Sequence, residues 1–262
     1  AMVLLLSGFA IKAGVVPFHS WLPDAHQSAD TSVSVLLSGI VIKIAGIYGL
    51  MTVCRLFGDF PAMRAVLAVL GAVSILVGAL LAARQRHFKR VMAYSSVSQM
   101  GYILLALSAG TTLGLIGALA HILSHAVFKS TLFANAAALH EQTGTLEMDE
   151  MGGLEERMPK TALSSVIAFL SLAGIPPTPG FWSKLLILLS LWESGKQPLA
   201  AFALLASIFT SVYMLRLQKK VFFGHIRESL TGVHEAAGTV LAAELLLTAL
   251  TILIGCAGPF IL

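Results

Sequence analysis

The chain has 262 residues, of which 57% are hydrophobic and 11% are charged, and its formal net charge is +4. Soluble domains carry about 25% charged residues. The composition therefore excludes a soluble enzyme and a nucleic-acid-binding domain, and it indicates a polytopic membrane protein.

Apolar runs predict the membrane-spanning helices, which need about 17–25 residues each. Two apolar segments, 1–22 and 161–192, are interrupted by glycine and proline. Six continuous runs cover residues 33–55, 62–83, 91–109, 113–139, 198–223 and 236–262. The sequence therefore predicts an all-α transmembrane bundle of about eight helices, two of them broken, in a single domain, 1–262.

The first run begins at Ala1 and contains Lys12, with no basic stretch before it. A secretory signal peptide has a basic stretch first and a small-residue cleavage site later. We therefore interpret this run as a membrane helix, and we expect further helices to precede it.

Loop charges predict the orientation. If the chain crosses the membrane eight times, three loops on one side carry ten basic residues: Arg84, Arg86, Lys89, Arg90, Arg157, Lys160, Arg216, Lys219, Lys220 and Arg227. The opposite side carries Arg55, Arg64 and Lys196. Because cytoplasmic loops are enriched in lysine and arginine, the first side, here called the basic side, is predicted to be cytoplasmic. The acidic loop 141–157 lies there, either solvated or as a docking surface for another subunit.

Four lysines interrupt the apolar segments: Lys12, Lys43, Lys129 and Lys184. A charge at the bilayer centre costs about 2.5–3.5 kcal/mol on insertion scales, so four unpaired lysines would cost about 10–14 kcal/mol. We expect them to be hydrated or paired. Such groups typically mark an ion pathway, although Lys43 also fits a structural ion pair.

The two broken segments point to a transport site. Proline cannot continue a membrane helix normally, and the freed carbonyl groups need a protein or water partner. Five crossings separate the segments, so they run in opposite directions, as in an inverted repeat with a site at mid-membrane. Two unrelated proline kinks are the alternative. The predicted breaks comprise Gly14, Pro17, Pro176, Pro177, Pro179 and Gly180.

The fifth predicted helix carries His121, His125 and Lys129 at steps of four residues. Such steps place all three on one helix face over about 12 Å. Ser124 and Ser130 flank them, and Asn135 continues the polar character. Histidine changes charge near neutral pH, which favours a proton relay. A zinc site and structurally hydrogen-bonded histidines are the alternatives, although the Glu that follows the first histidine in zinc proteases is Ile122 here.

The sequence contains no P-loop, no dinucleotide-binding glycine motif and no nucleophile elbow. Cys54 and Cys256 lie far apart in separate predicted helices, and we expect both to be buried as small apolar residues. We therefore expect no cofactor, no metal and no redox centre within this chain. Glu244, in the last predicted helix, receives no assignment.

Several long motifs resemble one family, the antiporter-like membrane subunits of respiratory complex I. They are the segment from Lys12 to His26, which contains PFHSWLPDAH, and the segments 33–44, 88–102, 121–129 and 181–184. Subunits of Mrp-type cation/proton antiporters and of membrane-bound hydrogenases belong to the same family.

The resemblance implies a fold of fourteen helices in two inverted five-helix repeats, of which this chain corresponds to helices seven to fourteen. The second repeat then covers about 61–225 and the last helix about 236–262. Lys12, Lys43 and Lys129 match the lysines of the seventh, eighth and eleventh helices, and Lys184 matches the lysine or glutamate of the twelfth. In the family these residues form a hydrophilic axis bridged by histidines. The helix whose glutamate pairs with the first lysine is not in this sequence.

The resemblance also implies a function. We expect a proton-translocating subunit of a redox-driven complex, either a complex I-like NADH:quinone oxidoreductase or a membrane-bound hydrogenase, with the redox chemistry in other subunits. The alternatives are a subunit of an Mrp-type Na⁺/H⁺ antiporter without redox coupling and a purely structural subunit. The expected partners are other membrane subunits, protons or Na⁺, and the lipid bilayer, with no nucleic acid. The expected location is a bacterial or archaeal plasma membrane.

Overall fold

The computed structural model describes residues 1–57 and 60–261, and ten α-helices lie in these ranges. Of the predicted domain 1–262, residues 58, 59 and 262 lie outside the described residues, and with them the end of the predicted last helix. The helices are Met2–Ala13 (α1), Trp21–Ser28 (α2), Thr31–Phe57 (α3), Pro61–Arg84 (α4), Phe88–Ala109 (α5), Thr112–Thr143 (α6), Pro159–Ala173 (α7), Pro179–Glu193 (α8), Gln197–Val221 (α9) and Gly238–Ile261 (α10).

Six of these helices, α3 to α6, α9 and α10, are long and apolar enough to cross a membrane. The helix pairs α1–α2 and α7–α8 are the two broken segments. The chain is therefore an integral membrane protein, and the predicted all-α bundle with two broken members is confirmed. Helices dominate because lipid offers no hydrogen-bond partner to an open backbone.

The first broken segment, α1 and α2 together, ends later than the composition predicts. Gly14 ends α1 in the left-handed conformation, with φ of 65°, which a glycine adopts without strain. Helix α2 then runs past the predicted end at residue 22 as far as Ser28. Pro23 does not stop it, because proline is tolerated in the first turn of a helix.

Loops of the basic side converge. The carboxylate of Asp149 pairs with Lys220 and lies 3.5 Å from Nε of Arg86. Nη1 of Arg90 lies 2.8 Å from Oδ1 of Asp24. The junction of α4 and α5, the acidic loop and the junction of α9 and α10 therefore meet on one face. This is the grouping that an eight-crossing topology requires.

Helix α5 lies at the centre of the bundle and is buried over most of its length. Close contact between α4 and α5 depends on glycine, because a Cβ on Gly101 would lie 2.5 Å from the carbonyl oxygen of Gly71. Small residues commonly allow such close packing in membranes. The polar residues of α5 are thereby enclosed among other helices rather than exposed to lipid.

The outer helices present apolar side chains on their outward faces. Val69 of α4, Leu205 of α9 and Leu253 of α10 are all more than half exposed, as expected for surfaces that lipid covers. Cys54 is half-buried, but the prediction that Cys256 is buried is wrong, because Cys256 is exposed on α10. A thiol behaves as a small apolar group, so an outward position in a membrane helix suits it.

Candidate functional site

Lys43 lies within α3, in a stretch from Leu37 to Tyr48 that is wound as a π-helix. Its side chain is 3% exposed, and its ammonium group donates a hydrogen bond to the carbonyl oxygen of Ser38. π-Helical turns are rare and occur frequently at functional sites. The side chain therefore folds back along its own helix inside the protein, and it does not reach lipid.

Lys129 is fully buried between α6 and α5. Its Nζ donates to the carbonyl oxygen of Met92 at 2.8 Å and to the hydroxyl of Ser95. Both acceptors lie on α5. The amine is thus held by neutral oxygen atoms, which can accept from it in either protonation state.

Lys184 lies at the second break. Its Nζ donates to the carbonyl oxygens of Leu172, at 2.8 Å, and Ala173, at 3.3 Å. These carbonyls belong to the last turn of α7, where Gly174, with φ of 84°, ends the helix. The end of a helix leaves carbonyl groups without partners and carries partial negative charge. The break therefore creates an acceptor site for a lysine.

Two prolines follow that helix end and prevent α7 from continuing, Pro176 and Pro177. Pro179 and Gly180 lie in the first turn of α8, where the missing N–H and fixed φ of proline suit a helix start. A Cβ on Gly180 would lie 1.8 Å from the carbonyl oxygen of Ser171. Glycine therefore allows α8 to approach α7 closely enough for Lys184 to reach it.

The two histidines lie between these lysines. Nδ1 of His121 is 2.9 Å from the hydroxyl of Ser183, which adjoins Lys184 in the chain. The ring centroids of His121 and His125 are 6.3 Å apart. Both rings are buried, and among the described residues neither ring nitrogen of His125 has a hydrogen-bond partner. Two imidazole rings therefore extend from the α8 end of the site toward Lys129.

These five groups share one electrostatic environment. Lys129 lies one turn beyond His125 on α6, Lys184 follows Ser183, which contacts His121, and α3, which carries Lys43, packs so closely on α6 that a Cβ on Gly39 would clash with the hydroxyl of Ser130. In the described part of the chain, no carboxylate lies within ion-pair distance of any of the three amines. The structure thus brings together five of the six predicted relay residues, which we call the polar axis: Lys43, His121, His125, Lys129 and Lys184.

Lys12 is the predicted relay residue that the structure does not bring to the polar axis. It lies in the last turn of α1, close to Gly14 and the cis bond before Pro17, and its side chain is exposed. Among the described residues it has no hydrogen-bond or ion-pair partner. Nε1 of the nearby Trp21 donates to the carbonyl oxygen of Ile11 at 2.9 Å, which connects the two sides of the break.

Sequence reasoning did not single out the ring of Tyr102 on α5. Nζ of Lys184 lies 4.6 Å from the ring centroid, within the range of a cation–π interaction. The phenol hydroxyl donates to the carbonyl oxygen of Ala203 at 2.9 Å. A tyrosine in an apolar helix is a weak signal by itself, because only the tertiary structure shows which charge its ring faces.

Glu244 also acquires partners. It is fully buried on α10, where it accepts a hydrogen bond from the amide of Asn135, and its Oε2 lies 3.2 Å from the hydroxyl oxygen of Thr161. Asn135 therefore faces α10 and does not extend the histidine stripe. Six residues beyond Lys129 correspond to about 600° of rotation, which turns its side chain to another face.

Comparisons with known proteins agree with this architecture. A family model described as NADH:quinone oxidoreductase/Mrp antiporter, transmembrane, matches residues 1–210. NAD(P)H-quinone oxidoreductase chain 4 1 of a Synechococcus species is 38% identical over 232 residues, which cover 86% of this chain and 44% of that relative.

Two solved structures have the same fold. The membrane-bound sulfane sulfur reductase, an archaeal respiratory membrane complex, contains a chain that superposes with a TM-score of 0.91 at 35% identity, covering 97% of this chain and 44% of that chain. The Mrp complex from a Dietzia species contains a chain that superposes with a TM-score of 0.92 at 27% identity, covering 99% of this chain and 57% of that chain.

The matched relatives are longer than this chain, which spans a little under half the length of the curated relative above. The match nevertheless includes both broken segments, the histidine stripe and all four membrane lysines, because it extends over residues 1–210. The chain belongs to the NADH:quinone oxidoreductase/Mrp antiporter transmembrane family.

Proposed function

We propose that this chain translocates protons as a membrane subunit of a redox-driven, multi-subunit complex. One observation supports the proposal above all others. Three lysines and two histidines from α3, α6 and α8 are buried together in the polar axis, and in the described residues no carboxylate neutralises the amines. Burying unpaired charge is costly, so a purely structural subunit would have no reason to retain the set.

The proposed path runs between Lys129 and Lys184, along one face of α6 and then across to α8. A protonated lysine amine can pass its proton to a neutral acceptor, and each histidine ring can take a proton on one nitrogen and release one from the other. His125 and His121 occupy the interval between the two lysines, with ring centroids 6.3 Å apart. Ser183, hydrogen-bonded to Nδ1 of His121 at 2.9 Å, continues the path toward Lys184.

The driving force in this proposal is electrostatic. Moving one charge through about 100 mV costs about 2.3 kcal/mol, which corresponds to roughly a 50-fold change in an equilibrium constant. A redox-driven change in a neighbouring charge, transmitted through the low-dielectric interior, can alter the proton affinity of a buried lysine by this amount. Protons then move in one direction because each lysine alternates between two affinities.

Lys12 completes the path in this proposal through a contact outside the chain. Its exposed position at the end of α1 fits the family pattern, in which a glutamate of an earlier helix pairs with this lysine. The basic side is the cytoplasmic side in the proposal, and the membrane is the plasma membrane of a bacterium or archaeon.

The second candidate function is cation/proton exchange without redox coupling, which the TM-score of 0.92 with a chain of the Mrp complex favours. Sequence identity favours the redox-driven candidate, because this chain is 38% identical to the quinone oxidoreductase chain and 35% identical to the sulfane sulfur reductase chain, but 27% identical to the Mrp chain. In addition, Na⁺ prefers oxygen ligands, as hard cations do, whereas the polar axis consists of nitrogen groups.

Proton uptake into inverted membrane vesicles that contain the intact complex separates the two candidates. We expect uptake to require a redox substrate and to be the same in Na⁺-free and Na⁺-containing medium. Lys184→Ala should abolish the contribution of this chain to uptake and leave electron transfer largely intact. Na⁺-dependent proton flux without a redox substrate would refute the redox-driven function.

A further inference from the structure

A second polar network lies apart from the polar axis, between the basic side and the first third of α10. We infer that Glu235, Thr161 and Glu244 form a proton-uptake path from the basic side, in which Glu244 is the proton-binding group inside the bundle. The inference rests on the proposed function, because it supplies protons to the same chain.

The three residues form a continuous line of hydrogen bonds. Half-buried Glu235, in the loop before α10, accepts from the backbone N–H of Lys160 at 2.7 Å and from the Thr161 hydroxyl at 2.7 Å. The same hydroxyl lies 3.2 Å from Oε2 of Glu244, which is fully buried. The network therefore connects a surface carboxyl group with an interior one through a single hydroxyl group.

Counting hydrogen atoms assigns a proton to this network. A threonine hydroxyl has one hydrogen and can donate it to only one acceptor at a time. Oγ1 of Thr161 is within hydrogen-bond distance of both carboxyl groups, so the two contacts are both hydrogen bonds only when one carboxyl group is protonated and donates to Oγ1. Two carboxylates would leave one contact without a hydrogen atom.

The surroundings of Glu244 offer no positive charge in exchange. Its other oxygen accepts from the amide of Asn135, and the titratable group connected to it through Thr161 is another carboxyl group, that of Glu235. Within the described residues no lysine, arginine or histidine lies at ion-pair distance from it. A bound proton is therefore the cation that this site accommodates, because burying an uncompensated carboxylate is costly.

A separate observation shows that the site extends inward. Asn135 is fully buried and uses its amide nitrogen on Glu244 and, at 3.1 Å, on the hydroxyl of Ser164. Its Oδ1 has no donor among the described residues. Buried acceptors are normally satisfied, so this oxygen is available to a hydrated proton beside Glu244. Lys129 precedes Asn135 by six residues, which is about 9 Å along α6.

The transfer step conserves atoms and charge. The O–H bond of a protonated Glu235 breaks and its proton binds Oγ1 of Thr161. At the same time the original O–H bond of Thr161 breaks and that proton binds Oε2 of Glu244. One proton has then moved from the surface carboxyl group to the interior one, and no electrons are exchanged.

The test uses the intact complex in vesicles and compares proton-to-electron ratios. We expect Glu244→Gln and the isosteric Thr161→Val to lower the ratio as much as Lys129→Ala does, and the double variant with Lys129→Ala to lower it no further. Thr161→Ser, which retains the hydroxyl, and Thr251→Val should match the wild type. Thr251 is a suitable control because it is a buried threonine of α10 whose hydroxyl, among the described residues, donates to its own helix alone, at the carbonyl oxygen of Leu247.

Infrared spectroscopy provides a second readout that does not depend on pumping. We expect a C=O stretching band of a protonated carboxyl group that disappears in Glu244→Gln and persists in Lys129→Ala. A wild-type ratio in both Glu244→Gln and Thr161→Val, with a low ratio in Lys129→Ala, would overturn the uptake path and leave the proposed function intact. A wild-type ratio in Lys129→Ala would overturn the proposed function, and the uptake path with it.

Discussion

A methyl group added at Gly180 tests whether the close contact between α7 and α8 holds the second break together. The Cβ of Gly180→Ala would lie 1.8 Å from the carbonyl oxygen of Ser171, whereas real Cβ contacts essentially never fall below 3.0 Å. The two helices must therefore separate by about 1.2 Å, because the obstructing atom belongs to the backbone. Overpacking of this kind costs about 1–3 kcal/mol.

The same displacement would weaken the hydrogen bond of 2.8 Å between Lys184 and the carbonyl oxygen of Leu172. We therefore expect Gly180→Ala to lower both the free energy of unfolding, measured by denaturant titration in mixed micelles, and the rate of proton uptake. Gly8→Ala is the matched control, since nothing lies within 4 Å of the added Cβ there. Equal stability and equal uptake in the two variants would refute the structural role assigned to Gly180.

Three further predictions concern single side chains. Tyr102→Phe removes two hydrogen bonds of 2.9 Å but keeps the ring beside Lys184. The free energy of unfolding should fall by about 1 kcal/mol per bond while proton pumping persists, and loss of pumping would contradict the role of the ring. His125→Gln should leave assembly of the complex unchanged, because neither ring nitrogen has a hydrogen-bond partner among the described residues. The same substitution should slow proton uptake by roughly 100-fold, and uptake at the wild-type rate would exclude His125 from the relay. The hydrogen bond and charge of Lys220 hold the pKa of the Asp149 carboxyl below its ordinary value. The stabilisation from this pair is therefore present above about pH 4 and is lost as the pH falls through the lower folded-state pKa. As the pH is lowered, the free energy of unfolding should decline less in Asp149→Asn than in the wild type, and parallel curves would contradict this.

Hydropathy and proline placement predicted most of the fold. The continuous helices follow from composition because lipid forces the backbone to satisfy its own hydrogen bonds. The run predicted at 33–55, for example, is observed as Thr31–Phe57. Steps of four residues placed His121, His125 and Lys129 on one face, because helix geometry alone determines which side chains share a face.

Other features depended on contacts between distant segments. The π-helical winding around Lys43 has no simple sequence signal, and it lies where α3 contacts α1 and α6. Asn135 faces α10 rather than the histidine stripe, and the partners of Glu244 come from α6 and α7. Hydropathy also could not tell that Cys256 faces outward, because a small apolar residue suits both lipid and the protein interior.

The central claim is that the buried lysines carry protons, and the proton-to-electron ratio of the intact complex tests it most directly. Lys129→Ala removes a fully buried amine of the polar axis. Lys196→Ala removes an amine that also donates to a backbone carbonyl, that of Ser108, but lies outside the polar axis, just before α9 begins. We expect a lower ratio with sustained electron transfer in Lys129→Ala and a wild-type ratio in Lys196→Ala. Wild-type ratios in both variants would contradict the account.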